Sequence, residues 1–423
     1  PFSTEPGQSE QTYNMFTGYV SYDFGPVLLE SSTGYVDRKD VSFGPIAMGP
    51  AVFRLDVLGE SESFVQEVRA VSQHEGPFEW VLGGIYQDAK NLEDIMVIGG
   101  PPISAVSVFD SSSYAIFGEA SVGLFNDTVR PLVGLRYFKD DRDFTSQNRP
   151  PGPFLPPPFE ASEKFDSVNP RFNISYEPND NVLLYVNVAR GFRSGTFNTA
   201  AAVAASGGLA DFAVEPDNIW SYEVGTKLSL FERQLFLELT AYRFDWSDIQ
   251  LNYSVAGGIQ IIRNAGKAEG EGLEYILKWR ATPELTFQAS GNINSTEFKN
   301  IIRPSDFAGT PNIAVGQQIA SVPKNNHSFA ATYSAPLGNS DMSLYLNGMF
   351  TFVGKQGDAG DPFGRFGDKH HLLRARAGVE WDQFGAYIYG DNLLNDSDPI
   401  WVSGSGVTRY YPRVLGVELK ADF

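Results

Sequence analysis

The last segment of the chain, Arg409 to Phe423, alternates strictly between apolar and polar positions. Leu415, Val417, Leu419, Ala421 and Phe423 share one face, and Gly416, Glu418, Lys420 and Asp422 share the other. Successive strand residues point to opposite faces, so this period of two reads as a strand with one greasy side. The pattern recurs upstream. Leu235, Leu237, Leu239 and Ala241 alternate with Phe236, Glu238, Thr240 and Tyr242. Val182, Leu184, Val186 and Val188 do the same, as do Tyr222, Val224, Thr226, Leu228 and Leu230. Leu273, Tyr275, Leu277 and Trp279 oppose Glu274, Ile276, Lys278 and Arg280. A Lys or Arg facing mid-bilayer costs ~2–4 kcal/mol, so a wall between lipid and water needs this alternation. Backbone polar groups in hydrocarbon must all be paired, which strands achieve only in a closed barrel. The expected fold is all-β, a large antiparallel transmembrane β-barrel.

Turn residues and alternation together mark about 17 strand candidates. Their connections alternate in length. Short ones lie near Phe24-Gly25-Pro26, His74 to Pro77, Phe125-Asn126-Asp127, Glu177 to Asp180, Phe231-Glu232-Arg233, Ala281 to Glu284, Pro336 to Asn339 and Asp382-Gln383-Phe384. Between them are longer Gly/Pro-rich stretches near 40–62, 90–110, 145–160, 195–217, 298–323, 355–369 and 395–408, with a shorter connection near 252–260. Bacterial outer-membrane barrels have short periplasmic turns and long extracellular loops, so each connection is assigned a side. Trp80, Trp279 and Trp381 flank expected turns, and Trp220 and Trp246 lie toward loop ends, as an interfacial girdle would place them. A β-sandwich with ordinary core tryptophans is the competing reading.

Single-chain barrels of this class close with an even strand number. The first strand, about Thr12–Asp23, precedes a short turn and so runs outside to inside. The expectation is that residue 1 lies in an extracellular loop and that strands upstream of it are missing.

Composition changes little. Mean hydropathy is −0.20 and aromatics make up 13% of 423 residues, as expected where only every second strand residue meets lipid. No apolar run approaches the ~20 residues of a membrane helix. No leader-like segment opens the chain. The absence of cysteine removes disulfides, thiolate metal sites and cysteine nucleophiles. A net charge of −19 argues against nucleic acid as a partner, since phosphates need a basic face.

Candidate chemistry is sparse. His370 and His371 are adjacent and on a strand would face opposite sides, a poor metal clamp. With His74 and His327 they read as solvated loop and strand-end residues. Gln356 to Asp361 and Asn395 to Asp398 are acidic loops without the spacing of a dedicated Ca²⁺ site. No phosphate cradle, serine elbow or HExxH occurs, and no carboxylate pair stands out as general acid and base. Neither an enzyme nor a resident cofactor is expected. Arg149 to Pro158 is proline-rich and reads as a stiff external arm. Gly191-Phe-Arg-Ser-Gly195 with Phe197 falls at the outer end of a strand. Arg193 and Phe197 there are candidate contacts for a planar anionic ligand such as a metal chelate. The competing reading pairs Arg193 with lumen carboxylates.

Several stretches resemble the C-terminal barrel portion of TonB-dependent outer-membrane receptors. They are Asn169-Pro-Arg171 before Phe172 to Tyr176, Leu184-Tyr185, Gly191 to Gly195, Val214-Glu-Pro216 before Ser221 to Lys227, Asn264 to Lys267 before Gly272-Leu-Glu274, Asp391 to Asn395, Tyr411-Pro-Arg413 and the terminal Phe423. Glu67–Tyr86 and Tyr114–Tyr137 match more faintly. The resemblance implies a Gram-negative outer-membrane location and a barrel of about 22 strands around a plug. About 17 strands are present here, so residues 1–423 are expected to be an incomplete barrel without the plug or the first strands. It also implies import of a scarce, bulky nutrient, first of all a ferric siderophore, energised by TonB through the plug. A passive porin and, less favoured, an outer-membrane hydrolase are the alternatives.

Overall fold

A computed structural model of the chain describes residues 7–48, 51–73, 76–99, 104–148, 158–199, 202–203, 206, 210–254, 260–264, 266–301, 315–357, 366–402 and 407–422. The proline-rich stretch 149–157, His74, Asp358, Asp361 and Phe423 lie outside the described residues.

Seventeen strands form one sheet. They are β1 (Gln8–Asp23), β2 (Val27–Met48), β3 (Ala51–Ser72), β4 (Phe78–Ile98), β5 (Ser104–Val122), β6 (Val129–Asn148), β7 (Phe159–Asn179) and β8 (Val182–Arg193). Then come β9 (Asp217–Leu230), β10 (Leu235–Ser247), β11 (Gly266–Arg280), β12 (Leu285–Ile301), β13 (Asn325–Pro336), β14 (Met342–Val353), β15 (His370–Trp381), β16 (Phe384–Asp391) and β17 (Val414–Ala421). Each pairs antiparallel with the next in sequence, as in an up-and-down barrel wall. Among the described residues β1 and β17 do not pair with each other, so the sheet is not closed.

The register bears out the alternation. Leu277, Leu237, Leu228 and Val182 stand directly opposite one another across four strands. Ala241, Val224, Val186, Ile174 and Pro131 form the next such row. The other face carries the charges. Lys227 meets Glu238 at 3.1 Å, Arg171 meets Glu119 at 3.3 Å and Arg376 meets Glu418 at 2.8 Å. Among the described residues no second large sheet covers the apolar face. The buried apolar cluster among the described residues is small (Ala202, Ala210, Ile249, Ile261, Ala268, Phe298) and sits between long connections and the ends of β11 and β12. The sandwich reading therefore fails.

Short turns carry residues in the left-handed region, with φ of 52, 57 and 62° at Phe125, Asn126 and Asp127, and 53, 54 and 66° at Phe231, Glu232 and Arg233. Bulky residues visit this region only when the closure of a tight hairpin forces them to.

Three sequence expectations need correction. Stretches 40–62 and 90–110 are mostly strand, not loop: β2 runs to Met48, β3 starts at Ala51, β4 runs to Ile98 and β5 starts at Ser104. At ~3.3 Å per residue, such strands far exceed the ~9–11 residues that cross a bilayer. Their outer halves stand in water on both faces, where alternation is not required. Second, the connection near 252–260, expected to be shorter than the others, covers 248–265 and contains a hairpin of Gln250–Ser254 with Gln260–Asn264. Third, Trp246 does not join a girdle. It packs against the buried cluster on the polar side of the wall.

Candidate ligand-binding mouth

The long connections gather at one end of the sheet, and their arrangement starts from a split between strands. The β7–β8 ladder stops at Arg171 opposite Ala189, while the β8–β9 ladder continues to Arg193 opposite Asp217. The end of β8 is thus free to leave the wall. It crosses β7 and lands on the polar face of β6. Ser194 Oγ donates to Asp140 Oδ2 at 2.7 Å. Phe197 stacks on Phe144 with ring centroids 5.8 Å apart. Thr196–Phe197 pairs with Ala213–Val214 on the way back.

Gly195 permits this close approach. A Cβ there would sit 2.3 Å from the Phe165 ring and 2.5 Å from the Val214 carbonyl oxygen. The carbonyl belongs to backbone, so it cannot swing aside. Gly195→Ala is expected to undock residues 194–199 while leaving the seventeen-strand wall intact. Limited proteolysis, with new cleavage confined to 194–216, checks this.

Arg193 is the tie between segments. Its Nε lies 3.0 and 2.9 Å from the two carboxylate oxygens of Asp217, and Nη2 bonds the same carboxylate. Nη2 also donates to the Gln250 carbonyl at 3.0 Å, and the guanidinium lies 5.1 Å from the Trp246 ring centre. Asp217 is 1% exposed, whereas half of the Arg193 side chain is open. Gln250 extends the knot. Its amide N–H donates to Asp217 at 3.0 Å, and its Nε2 reaches the carbonyls of Ser194 and Glu215 at 3.0 and 2.9 Å. Asn264 exchanges two hydrogen bonds with the Glu215 backbone, and Asn198 exchanges two with the Ile262 backbone. Both candidate residues therefore sit at the mouth with firm partners: Arg193 on Asp217, and Phe197, only 4% exposed, on Phe144.

Beneath the docked segment is a cavity of about 280 Å³ between the polar faces of β4, β5 and β6 and residues Thr196 and Phe197. A larger concavity of about 770 Å³ is lined chiefly by outward-facing Ala331, Tyr333, Leu346, Ile388, Leu415 and Val417. It opens on the apolar wall, so the smaller one is the candidate for a water-borne ligand.

The sequence matches the TonB-dependent receptor-like β-barrel family over residues 2–393. The chain belongs to that family. TonB-dependent receptor barrels are Gram-negative outer-membrane proteins, which places this one in that membrane. The pesticin receptor of Yersinia enterocolitica is 27% identical over 243 residues, 56% of this chain and 34% of that protein. The metal-pseudopaline receptor CntO of Pseudomonas aeruginosa is 23% identical over 242 residues, 56% of this chain and 31% of that protein. The chain thus spans about a third of the length of these relatives. The crystal structure of the ferric yersiniabactin uptake receptor FyuA from Yersinia pestis superposes with a TM-score of 0.81 at 18% identity, covering 98% of this chain and 62% of that one.

In this TonB-dependent receptor barrel the recurrent sequence motifs act as clamps on the loops. Gly191 to Gly195, Val214-Glu-Pro216 and Asn264 converge through Gln250, Glu215 and Asp217. Asp391 to Asn395 and Tyr411-Pro-Arg413 converge likewise. Asn392 Nδ2 donates to the Tyr411 carbonyl at 2.9 Å, and the Arg413 amide donates to Asn395 Oδ1 at 3.1 Å.

His370 belongs to the same clamp and corrects the reading of solvated histidines. It is fully buried, with Nδ1 3.1 Å from Asp396 Oδ1. His327 is also engaged, 3.0 Å from the Tyr275 hydroxyl. No group of three metal-ligating side chains occurs among the described residues. Burial opposes ionisation of Asp396, but donation from the amides of His371 and Asp398 and from the His370 ring outweighs it, holding the carboxyl below its ordinary value. A lowered folded value means stability present above the ordinary range of about 4 and lost as pH falls through the lowered one. The protection factor of the His371 amide, that is, its exchange relative to the intrinsic rate at the same pH, is therefore expected to be high at neutral pH and to fall below about pH 4. A protection factor that is the same at both pH values contradicts the clamp.

Sequence reasoning missed Asp217, Gln250, Asp140 and Asp396. A faint signal existed for two of them: Asp217 directly follows Val214-Glu-Pro216, and Asp140 lies in the dense charged run from Lys139 to Asp143.

Proposed function

We propose that this chain is the barrel of an energised import receptor for a scarce, bulky nutrient, with a ferric siderophore as ligand and TonB as the source of work. The observation that carries the reading is the mouth itself. Long connections are tied into an ordered, inward-facing surface of mixed polar and aromatic character, with a cavity below it. Non-reacting receptors need such a surface, because affinity for a bulky solute requires concave contact. Relatives named for metal-pseudopaline and ferric yersiniabactin support a chelate as the cargo class. The family is one of receptors, and among the described residues of the mouth Ser194 is bonded to a carboxylate, not to a histidine.

One observation favours a second reading. A segment docked inside the wall, as residues 194–199 are, is also how a diffusion pore narrows its channel. Uptake of ⁵⁵Fe-siderophore by cells with and without the intact protein separates the two. The receptor reading expects saturable uptake that stops when TonB is deleted or the proton gradient is collapsed. Uptake that rises linearly with concentration and ignores both treatments favours the pore. Growth unchanged on every iron, cobalamin and glycan source after deletion contradicts import altogether.

A further inference from the structure

The lipid-facing side of the wall changes character at β1 to β4. Six residues in from their short-turn ends, β5, β6, β8, β9 and β10 carry Ile116, Leu135, Val188, Val224 and Ala241 on the outward face. At the same depth β2, β3 and β4 carry Thr33, Gln66 and Gly84. Thr33 stands opposite both Gly18 and Gln66, and Ser31 opposite Val20 and Val68, so all of these share that face. The lumen face of the same strands holds Glu30 and Arg69, joined at 2.6 Å. We infer that this outward polar patch is a lateral contact between two copies of the protein within the membrane. The inference goes beyond the receptor reading: it depends on the outer-membrane position and not on what is imported.

The hydrogen bonds of the patch leave a matched remainder. Thr33 Oγ1 donates to Gln66 Oε1 at 2.5 Å. Gln66 Nε2 reaches Ser31 Oγ at 2.9 Å and the carbonyls of Ser32 and Glu67 at 3.1 and 3.0 Å, which spends both of its hydrogens. One lone pair of Gln66 Oε1 is left over. So is the Ser31 hydroxyl hydrogen, which has no acceptor among the described residues. Acyl chains can use neither, and a polar group left unpaired in hydrocarbon is costly. A patch holding one spare donor beside one spare acceptor is its own complement. A two-fold axis along the membrane normal sets Ser31 of each copy against Gln66 of the other, and two-fold dimers are the commonest oligomers.

The glycines fit the same contact. Nothing lies within 4 Å of a Cβ built on Gly18, and at Gly84 the one neighbour is the Ala115 carbonyl at 3.6 Å. Neither has positive φ. Glycine weakens a strand interior, and here the chain's own packing does not demand it. Small residues let two walls approach closely in lipid, where packing and hydrogen bonds drive association. Val20, Val68 and Leu82 flank the patch and stay exposed. Beyond the bilayer the same face is acidic on balance, with Asp37, Glu60, Glu62 and Asp88 against Lys39 and Lys90. The contact therefore lies at bilayer depth, and salt screens the charges beyond it.

The test is cross-linking of single cysteines by a short bis-maleimide, on the intact protein in native outer membranes. Val68→Cys sits in the patch at a position 43% exposed, and Val224→Cys, at one 56% exposed, is the control on β9. Val68→Cys is expected to give a product of twice the chain's mass that contains this chain alone, and Val224→Cys to stay monomeric. In the Val68→Cys background, Gln66→Leu is expected to lower the yield about three- to tenfold, because it removes the spare acceptor. Gly84→Leu touches none of these hydrogen bonds and should lower the yield as well, by filling the space between the walls. Both put an apolar side chain where hydrocarbon accepts it, so the wall itself is spared. Equal yields at positions 68 and 224 would mean chance collision and overturn the inference. So would no product at 68, a product containing a different protein, or an unchanged yield in either Gln66→Leu or Gly84→Leu.

Discussion

Arg193→Ala is expected to open the mouth while sparing the wall. The substitution leaves the buried Asp217 carboxylate with the Gln250 amide as its remaining donor among the described residues. Breaking a buried ion pair from one side typically costs ~3–5 kcal/mol. Arg193 is half exposed, so the lower end, about 3 kcal/mol, applies here. That corresponds to roughly a hundredfold faster local opening. Hydrogen exchange should show the increase in residues 194–199, 210–217 and the 250–264 hairpin, which share the knot, and none in the ladder of β3 with β4. The asymmetry gives a second check. Asp217→Ala leaves a guanidinium that water can reach, so it should cost less than Arg193→Ala. The double variant should be no worse than Arg193→Ala alone, since the two side chains act as one unit. An exchange increase spread evenly over the sheet would contradict the local-clamp account.

Val224→Lys is expected to destabilise the protein in a bilayer by ~2–4 kcal/mol. Val224 is directly paired with Val186 and Ala241, within the apolar rows. It is 56% exposed in the isolated chain. At a half-exposed position of a water-soluble sheet the same change would stay within about 0.5 kcal/mol. Its neighbour Glu223 points to the polar side, where it accepts from the Ser221 hydroxyl at 3.0 Å. Glu223→Lys changes charge by more than Val224→Lys does, yet should be tolerated, because water rather than hydrocarbon receives the ammonium. Urea titration of folded protein in vesicles, with the two variants side by side, gives the comparison. Equal stability of Val224→Lys and the parent would remove lipid from that face.

The wall was legible in the sequence because a bilayer enforces alternation residue by residue. Leu235, Leu237 and Leu239, read as one face, do stand opposite Trp279, Leu277 and Tyr275. The same logic explains the errors. Above the bilayer both faces are wet, so Asp40 to Glu62 carry no strict period and were expected to be loop, although β2 and β3 pair there residue for residue. Trp246 was expected at an interface from its place near a strand end, but position along a strand does not fix its face. Its even-numbered neighbours Tyr242 and Phe244 share the polar side. The mouth was legible only as a set of motifs. Gly191 to Gly195 pointed to the right place, yet what Arg193 grips depended on Asp217 and Gln250, 24 and 57 residues away. Such pairings are set by the return path of loops, which no local period encodes. The cavity beside Ala89 carried no signal because it exists only when β4, β5, β6 and the segment after β8 are brought together.

The absence of cysteine makes one measurement direct. Single cysteines from Ser221 to Ser229 on β9, spin-labelled in the lipid-reconstituted protein, report accessibility to oxygen and to a polar nickel complex. Positions 222, 224, 226 and 228 should favour oxygen, and 221, 223, 225, 227 and 229 the nickel complex, with a period of two. Accessibility without that period, or nickel reaching both sets equally, would show that this strand does not divide lipid from water.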